Sequence, residues 1–104
     1  MSSSPKLTNI FSRDAEADRK EFRNQFPEVG SMLLETLERR ISRTSADCDF
    51  VGRTRRMTEV RRLNTVFRVE ESAEVLALEV EFETDSAHTR AKWLSFKFTR
   101  ITTS

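Results

Sequence analysis

The chain of 104 residues has one cysteine, two glycines, two prolines and no tyrosine. A single cysteine excludes an internal disulfide and favours a reducing compartment, so we expect an intracellular protein, cytoplasmic or nuclear. Two glycines leave almost no material for the glycine-rich loops that bind nucleotide phosphates. No apolar run approaches the roughly 18 residues of a membrane-spanning helix, and no signal-peptide core is present. These absences predict a protein with no membrane partner.

Residue types that carry catalysis or bind metals are equally sparse. His88 is the only histidine and lies in a polar segment that predicts a turn, so a catalytic dyad would need Cys48 or a serine brought to it by the fold. Cys48 lies between Asp47 and Asp49, whose negative charges should raise its thiol pKa and disfavour a nucleophilic role. These residues are of metal-ligand types, but their spacing matches no zinc motif. We therefore expect no enzyme, no metal, no other cofactor and no small-molecule substrate.

What the chain has in quantity is charge, and the charge is sorted along the sequence. Residues 39–62 contain eight arginines and three acids, residues 70–85 contain seven acids and no base, and residues 90–100 contain four bases and no acid. The formal net charge is only +1, so no long-range field favours nucleic acid or membrane. The sorted segments predict neighbouring strands, and opposite charges paired across a sheet account for most of the pattern.

Two segments in the first half of the chain predict helix. Ser12 is a suitable N-cap for a helix over residues 14–25, whose first turn carries acids that the helix dipole favours. Pro27 predicts a break or a kink after this helix. Residues 27–42 then place apolar side chains at helical spacing, at Val29, Leu33, Leu37 and Ile41.

From Cys48 onward the apolar period changes to two, which predicts strands. Four strands are expected, at residues 49–58, 63–70, 76–83 and 93–99. Short polar links predict hairpins. The predicted fold class is therefore α+β, with an N-terminal helical segment (one kinked helix or two) packed on one face of a four-stranded antiparallel β-meander. Residues 12–104 form this single domain, and residues 1–11 are predicted to be a disordered tail.

The open face of this sheet is the first candidate binding surface. Alternation places Trp93 on it, opposite Phe96 and Phe98, unless the N-terminal segment or a second copy covers it. A tryptophan with aliphatic neighbours among charges is typical of a protein-binding hot spot. The predicted binding residues are Trp93, Val75, Ala77, Lys97 and Ile101. We therefore predict a protein-interaction or assembly domain that acts through the open sheet face and edges on a protein partner or a second copy, as a homodimer. On this hypothesis Trp93→Ala weakens association and leaves the monomer folded.

The arginines give a second hypothesis, an RNA- or single-stranded nucleic-acid-binding module. Guanidinium groups bind phosphates and stack on bases. The residues concerned are Arg39, Arg40, Arg53, Arg55, Arg56, Arg61 and Arg62. Two observations weigh against it: the glutamates of the neighbouring strand would repel a phosphate backbone, and arginines on an edge strand also protect it from aggregation. Nucleic acid is therefore the alternative partner.

Overall fold

The computed structural model describes residues 7–69, 74–85 and 87–101. The elements in chain order are β1 (Thr8–Phe11), α1 (Arg13–Gln25), α2 (Gly30–Thr44), a 3-10 turn (Ser45–Asp47), β2 (Asp49–Arg53), β3 (Glu59–Val69), β4 (Glu74–Thr84) and β5 (Arg90–Ile101). The α+β class is confirmed, and the helical segment consists of two helices. Neither helix is both long and apolar enough to cross a membrane.

The two helices begin and end where local chemistry requires. The Ser12 hydroxyl accepts a hydrogen bond from the Ala15 amide at 3.1 Å, which caps α1. The helix ends at Phe26, before the proline, which disfavours helical geometry in the residue preceding it. A side chain at Gly30 would place its Cβ 3.1 Å from the Arg23 Cα, so the missing side chain lets the start of α2 pack closely on α1.

The sheet has five strands in the order β1-β5-β4-β3-β2. The antiparallel meander predicted for the second half of the chain is confirmed for β2 to β5, but β1 adds a fifth strand that pairs parallel with β5, from Thr8 opposite Arg90 to Phe11 opposite Trp93. The sheet is therefore mixed. The predicted tail is wrong for residues 8–11, since pairing to the far end of the chain orders them; residues 1–6 lie outside the described residues.

A β-bulge in β5 overturns the predicted position of Trp93. Glu81 pairs with Ser95, whereas the next residue, Phe82, pairs with Trp93, so Leu94 is an extra residue without a partner. One extra residue shifts the side-chain alternation by one position. Trp93 and Phe96 therefore both face the helices, and Trp93 is 0% exposed. The prediction that Trp93 lies on the open face is wrong.

Trp93 lies where both ends of the domain meet. Its indole N–H donates to the Asn9 Oδ1 at 2.9 Å, and its ring packs edge-to-face on Phe11 at a centroid distance of 5.2 Å. The Arg19 guanidinium lies 3.8 Å from the Phe11 ring centre and forms an ion pair with Glu38 at 3.5 Å. Since Asn9 also donates to the Glu38 carbonyl at 3.1 Å, these contacts join β1, α1, α2 and β5.

We predict that Trp93→Ala lowers the free energy of unfolding by about 3–5 kcal/mol, because it leaves a large cavity and an unpaired amide oxygen. Trp93→Phe keeps a ring in the core and should cost less, mainly the hydrogen bond to Asn9, about 1 kcal/mol. Urea denaturation followed by far-UV circular dichroism measures both. An alanine variant as stable as the wild type would contradict the buried position.

Candidate interaction site

The other predicted binding residues lie on the open face of the sheet. On β4 the side chains of Leu76 and Leu78 are buried towards the helices, so those of Val75 and Ala77 point to the opposite face. Ile101 of β5 pairs with Val75, and Lys97 pairs with Glu79, which is the next residue after Ala77 on the same face of β4. Without Trp93 this face has no aromatic anchor. Its centre is a shallow depression of about 410 Å³, lined chiefly by Asn64, Val66, Ala77, Glu79, Lys97 and Thr99.

Some charges on and under this face are paired with one another. The Arg62 guanidinium lies 3.2 Å from Glu79 and 3.1 Å from Glu81 across the β3–β4 pair. Arg61 points to the helix side, donates to the Cys48 carbonyl at 2.8 Å and pairs with Glu59 at 2.9 Å. The Arg62 pairs join β3 to β4, and cross-strand pairs fix strand register. Arg61 and Arg62 therefore serve the fold and project in opposite directions.

The remaining arginines of the nucleic-acid hypothesis are spread over separate elements. Arg39 and Arg40 lie on α2, whereas Arg53, at the end of β2, and Arg55 and Arg56, in the turn that follows, belong to the β2–β3 hairpin. The Arg53 guanidinium lies 5.8 Å from the ring centre of Phe50. The predicted set thus divides between a helix, a hairpin and both faces of β3.

The fold brings a serine and a carboxylate to His88, the arrangement that a catalytic histidine would need. The Ser45 Oγ lies 3.2 Å from His88 Nδ1, and His88 Nε2 lies 3.4 Å from the Glu59 carboxylate. A nucleophile must, however, be accessible to a substrate, and Ser45 is only 5% exposed. These contacts hold the β4–β5 turn against the 3-10 turn and β3.

Cys48 is equally unsuited to nucleophilic chemistry. Burial raises the pKa of its thiol, which outweighs the lowering by the nearby positive charges of Arg61 and Arg40; Asp49 and Asp47 add smaller increases. The direction agrees with the sequence prediction, but burial rather than like charge is the main cause. In the described part of the chain, no three or more histidine, cysteine or carboxylate side chains are grouped as metal ligands.

An unpaired sheet edge is the feature that the sequence prediction did not resolve. β2 pairs only with residues 59–62 of β3, and β1 pairs only with residues 90–93 of β5. Thr84 of β4 lies opposite Glu59 of β3 on one side and opposite Ala91 of β5 on the other. The parts of β3 and β5 that pair with β2 and β1 are therefore at the same end of the sheet. At the opposite end, no other described segment pairs with the outer edge of β3 over residues 63–69.

A groove between α2 and β3 runs beside this edge; we call it the α2–β3 groove. Its apolar half is a depression of about 350 Å³ lined by Val29, Met32, Leu33, Thr36, Phe67, Arg68 and Val69. A second depression of about 300 Å³ shares Thr36 with it and is lined by Thr36, Arg39, Arg40, Arg43 and Thr44 of the helix, and Arg40 reaches Thr65 of β3; we call it the cationic half. Met32 is 56% exposed in this groove. The sequence analysis did not predict this groove.

Comparison with known proteins gives no assignment: no family model matches the chain, no curated protein is similar to it, and no solved structure matches its fold. The candidate site must therefore be judged on its geometry.

We predict that Ser45→Ala and His88→Asn each lower the free energy of unfolding by about 0.5–1.5 kcal/mol, because each removes a hydrogen bond that holds the turn. Asparagine suits position 88, whose φ is +54°. Hydrolysis of p-nitrophenyl acetate should proceed at the same rate with wild type and Ser45→Ala. A burst of nitrophenol that disappears in Ser45→Ala would instead identify Ser45 as a nucleophile.

Proposed function

We propose that this chain is a non-enzymatic protein-interaction domain that binds its partner along the unpaired edge of β3 and the α2–β3 groove. The observation that carries the proposal is the outer edge of β3 over residues 63–69, with which no other described segment pairs, beside a groove with an exposed methionine. An open edge presents amide and carbonyl groups that an extended segment of another chain can pair with, while a flanking groove receives every second side chain.

Exposed apolar side chains support this location. Val66 on the open face of β3 is 61% exposed, and Met32 lies in the groove on the other side of the same strand. Ile101, at the end of β5, is also exposed. A bare edge flanked by apolar side chains promotes association unless the protein protects it or uses it.

The edge is a better candidate than the open face alone. Arg62 forms ion pairs with Glu79 and Glu81 on this face, and the expected anchor of the face, Trp93, is buried. Binding there would have to desolvate paired charges with little apolar contact in return. The face residues Val75, Ala77 and Ile101 lie at the bare end of the sheet, where they can extend a contact made at the edge.

We predict that Met32→Lys weakens binding of peptides selected from a displayed random library by about tenfold or more, because it places a charge in the apolar half of the groove. Met57→Lys is the matched control, since Met57 is 68% exposed and lies in the β2–β3 turn. Fluorescence anisotropy gives both affinities. Peptides that bind both variants equally, or a library that yields no binder, would contradict the proposed site.

Nucleic-acid binding is the second candidate, favoured by the three arginines that line the cationic half of the groove. It predicts an affinity for labelled single-stranded RNA that falls steeply with salt. Arg39→Ala and Arg40→Ala should each reduce the slope of log affinity against log salt by about 0.7, the value for one lost phosphate contact. Anisotropy across a salt series measures this slope, and absence of binding at low salt eliminates the candidate.

A further inference from the structure

Resting on the proposed function, we propose that the α2–β3 groove selects an acidic extended segment of a partner protein. In the bound state, the apolar side chains of this segment lie at the Met32 end of the groove, and the carboxylate of the segment lies against Arg40. The segment adds to the sheet as a strand beside residues 63–69 of β3.

Length comes first. Residues 63–69 of β3, whose outer edge is not covered by β2, span about 23 Å at 3.3–3.4 Å per residue. α2 has 15 residues and is about 22 Å long at 1.5 Å per residue. On an added strand every second side chain points towards α2, about 7 Å apart, and successive turns of α2 present a side chain about every 6 Å. Each inward residue of the strand can therefore meet one turn of α2: Met32, then Thr36, then Arg40.

Charge gives the groove a direction. Its two halves are lined by four arginines, at positions 39, 40, 43 and 68, and by no carboxylate. Among the described residues, none of the three α2 arginines forms an ion pair. At the Val29 end a neighbouring depression is lined by Glu28, which would repel an acid, and by Glu74, which forms an ion pair with Arg100 at 3.8 Å. The carboxylate of a bound segment therefore belongs at the arginine end.

Asp47 and Asp49 set the limit at that end. They follow the C-terminus of α2 and are exposed, so they oppose an acid placed beyond the last turn of the helix. The favoured position for the carboxylate is thus beside Arg40.

Arg40 also reaches the strand. Its Nη1 donates to the Thr65 hydroxyl at 2.7 Å, so the guanidinium already spans from α2 to β3 in the middle of the unpaired stretch. A guanidinium pairs with a carboxylate through two parallel hydrogen bonds, which gives geometric selectivity as well as attraction. A carboxylate on the added strand next to Thr65 would lie within that reach.

A second copy of the chain fits this groove less well. In an edge-to-edge dimer, residues 63–69 of one copy would lie in the groove of the other, and this stretch contains an arginine and no acid. It would leave the arginines of both grooves without a counter-charge. The charge pattern therefore favours a different, acidic chain.

The test uses the full chain and an end-blocked peptide whose alternate residues are Val, Val, Glu and Glu from its amino end, separated by threonines. A second peptide carries Lys in place of both Glu. We expect the acidic peptide to bind at least about tenfold more tightly than the basic one at low salt. Arg40→Glu should reduce or reverse this preference, and Arg43→Glu should reduce it less. Arg55→Glu, in the exposed β2–β3 turn, is the matched control and should leave the preference unchanged.

N-methylation of the peptide amides separates strand addition from simple charge attraction. Methyl groups on one alternate set should abolish binding and those on the other set should not, because only every second amide faces β3. Equal binding of acidic and basic peptides with this alternation kept would overturn the acidic inference and leave the proposed edge site standing. Loss of the alternation would overturn both the acidic inference and the proposed edge site. The same conclusion would follow if neither peptide bound and Met32→Lys did not weaken binding of the library-selected peptides.

Two further outcomes would replace the acidic segment with another occupant. Sedimentation equilibrium that shows a dimer disrupted by Met32→Lys would assign the groove to a second copy. Single-stranded RNA that displaces the acidic peptide and loses affinity in Arg40→Glu would assign the arginines to phosphate. We expect a monomer and no displacement.

Discussion

The burial of Trp93 is the contact on which the rest of the structure depends. Its ring fills the core at the point where β1, α1 and β5 meet, and its indole N–H is satisfied by Asn9. Arg19, almost fully buried, closes the cluster by stacking on Phe11 and pairing with Glu38. Because a buried polar group without a partner is costly, this small network fixes how the N-terminal strand and both helices sit on the sheet.

The same contact bears on the proposed binding site. It orders β1 against β5 at the same end of the sheet where β2 pairs with β3. In the described structure, β1 and β2 therefore cover the edges of β5 and β3 only at that end. The other end keeps a bare β3 edge with the α2–β3 groove beside it. Burial of Trp93 also removes the only tryptophan from the open face, which leaves that face mostly to paired charges and small aliphatic side chains. The edge is thus the strongest remaining feature for a partner.

Charge in this chain has two roles that only the fold separates. Arg62 and the glutamates of β4 neutralise each other locally and hold the register of the sheet, as sorting along the sequence predicts. Arg61 is also satisfied within the fold, by Glu59 on its own strand and by the backbone carbonyls of Ala46 and Cys48. Arg39, Arg40 and Arg43 have no carboxylate partner in the described structure. Helical spacing brings them together on α2, and only the fold places Arg40 against Thr65 of β3. In the sequence, these two groups of arginines look alike.

The sequence alone determined the α+β class, a helical segment interrupted near Pro27 and the strands from β2 to β5, because apolar periodicity and capping are local properties; whether the helical segment was one kinked helix or two was decided by the structure. It also placed Val75, Ala77 and Lys97 correctly on the open face, where alternation is unbroken. Only the tertiary structure decided the position of Trp93, since a single extra residue at Leu94 reverses the alternation without a local signal. It likewise decided that β1 pairs with β5 and that β2 stops short along β3. Strand pairing joins residues distant in the chain, and its extent depends on how the helices pack.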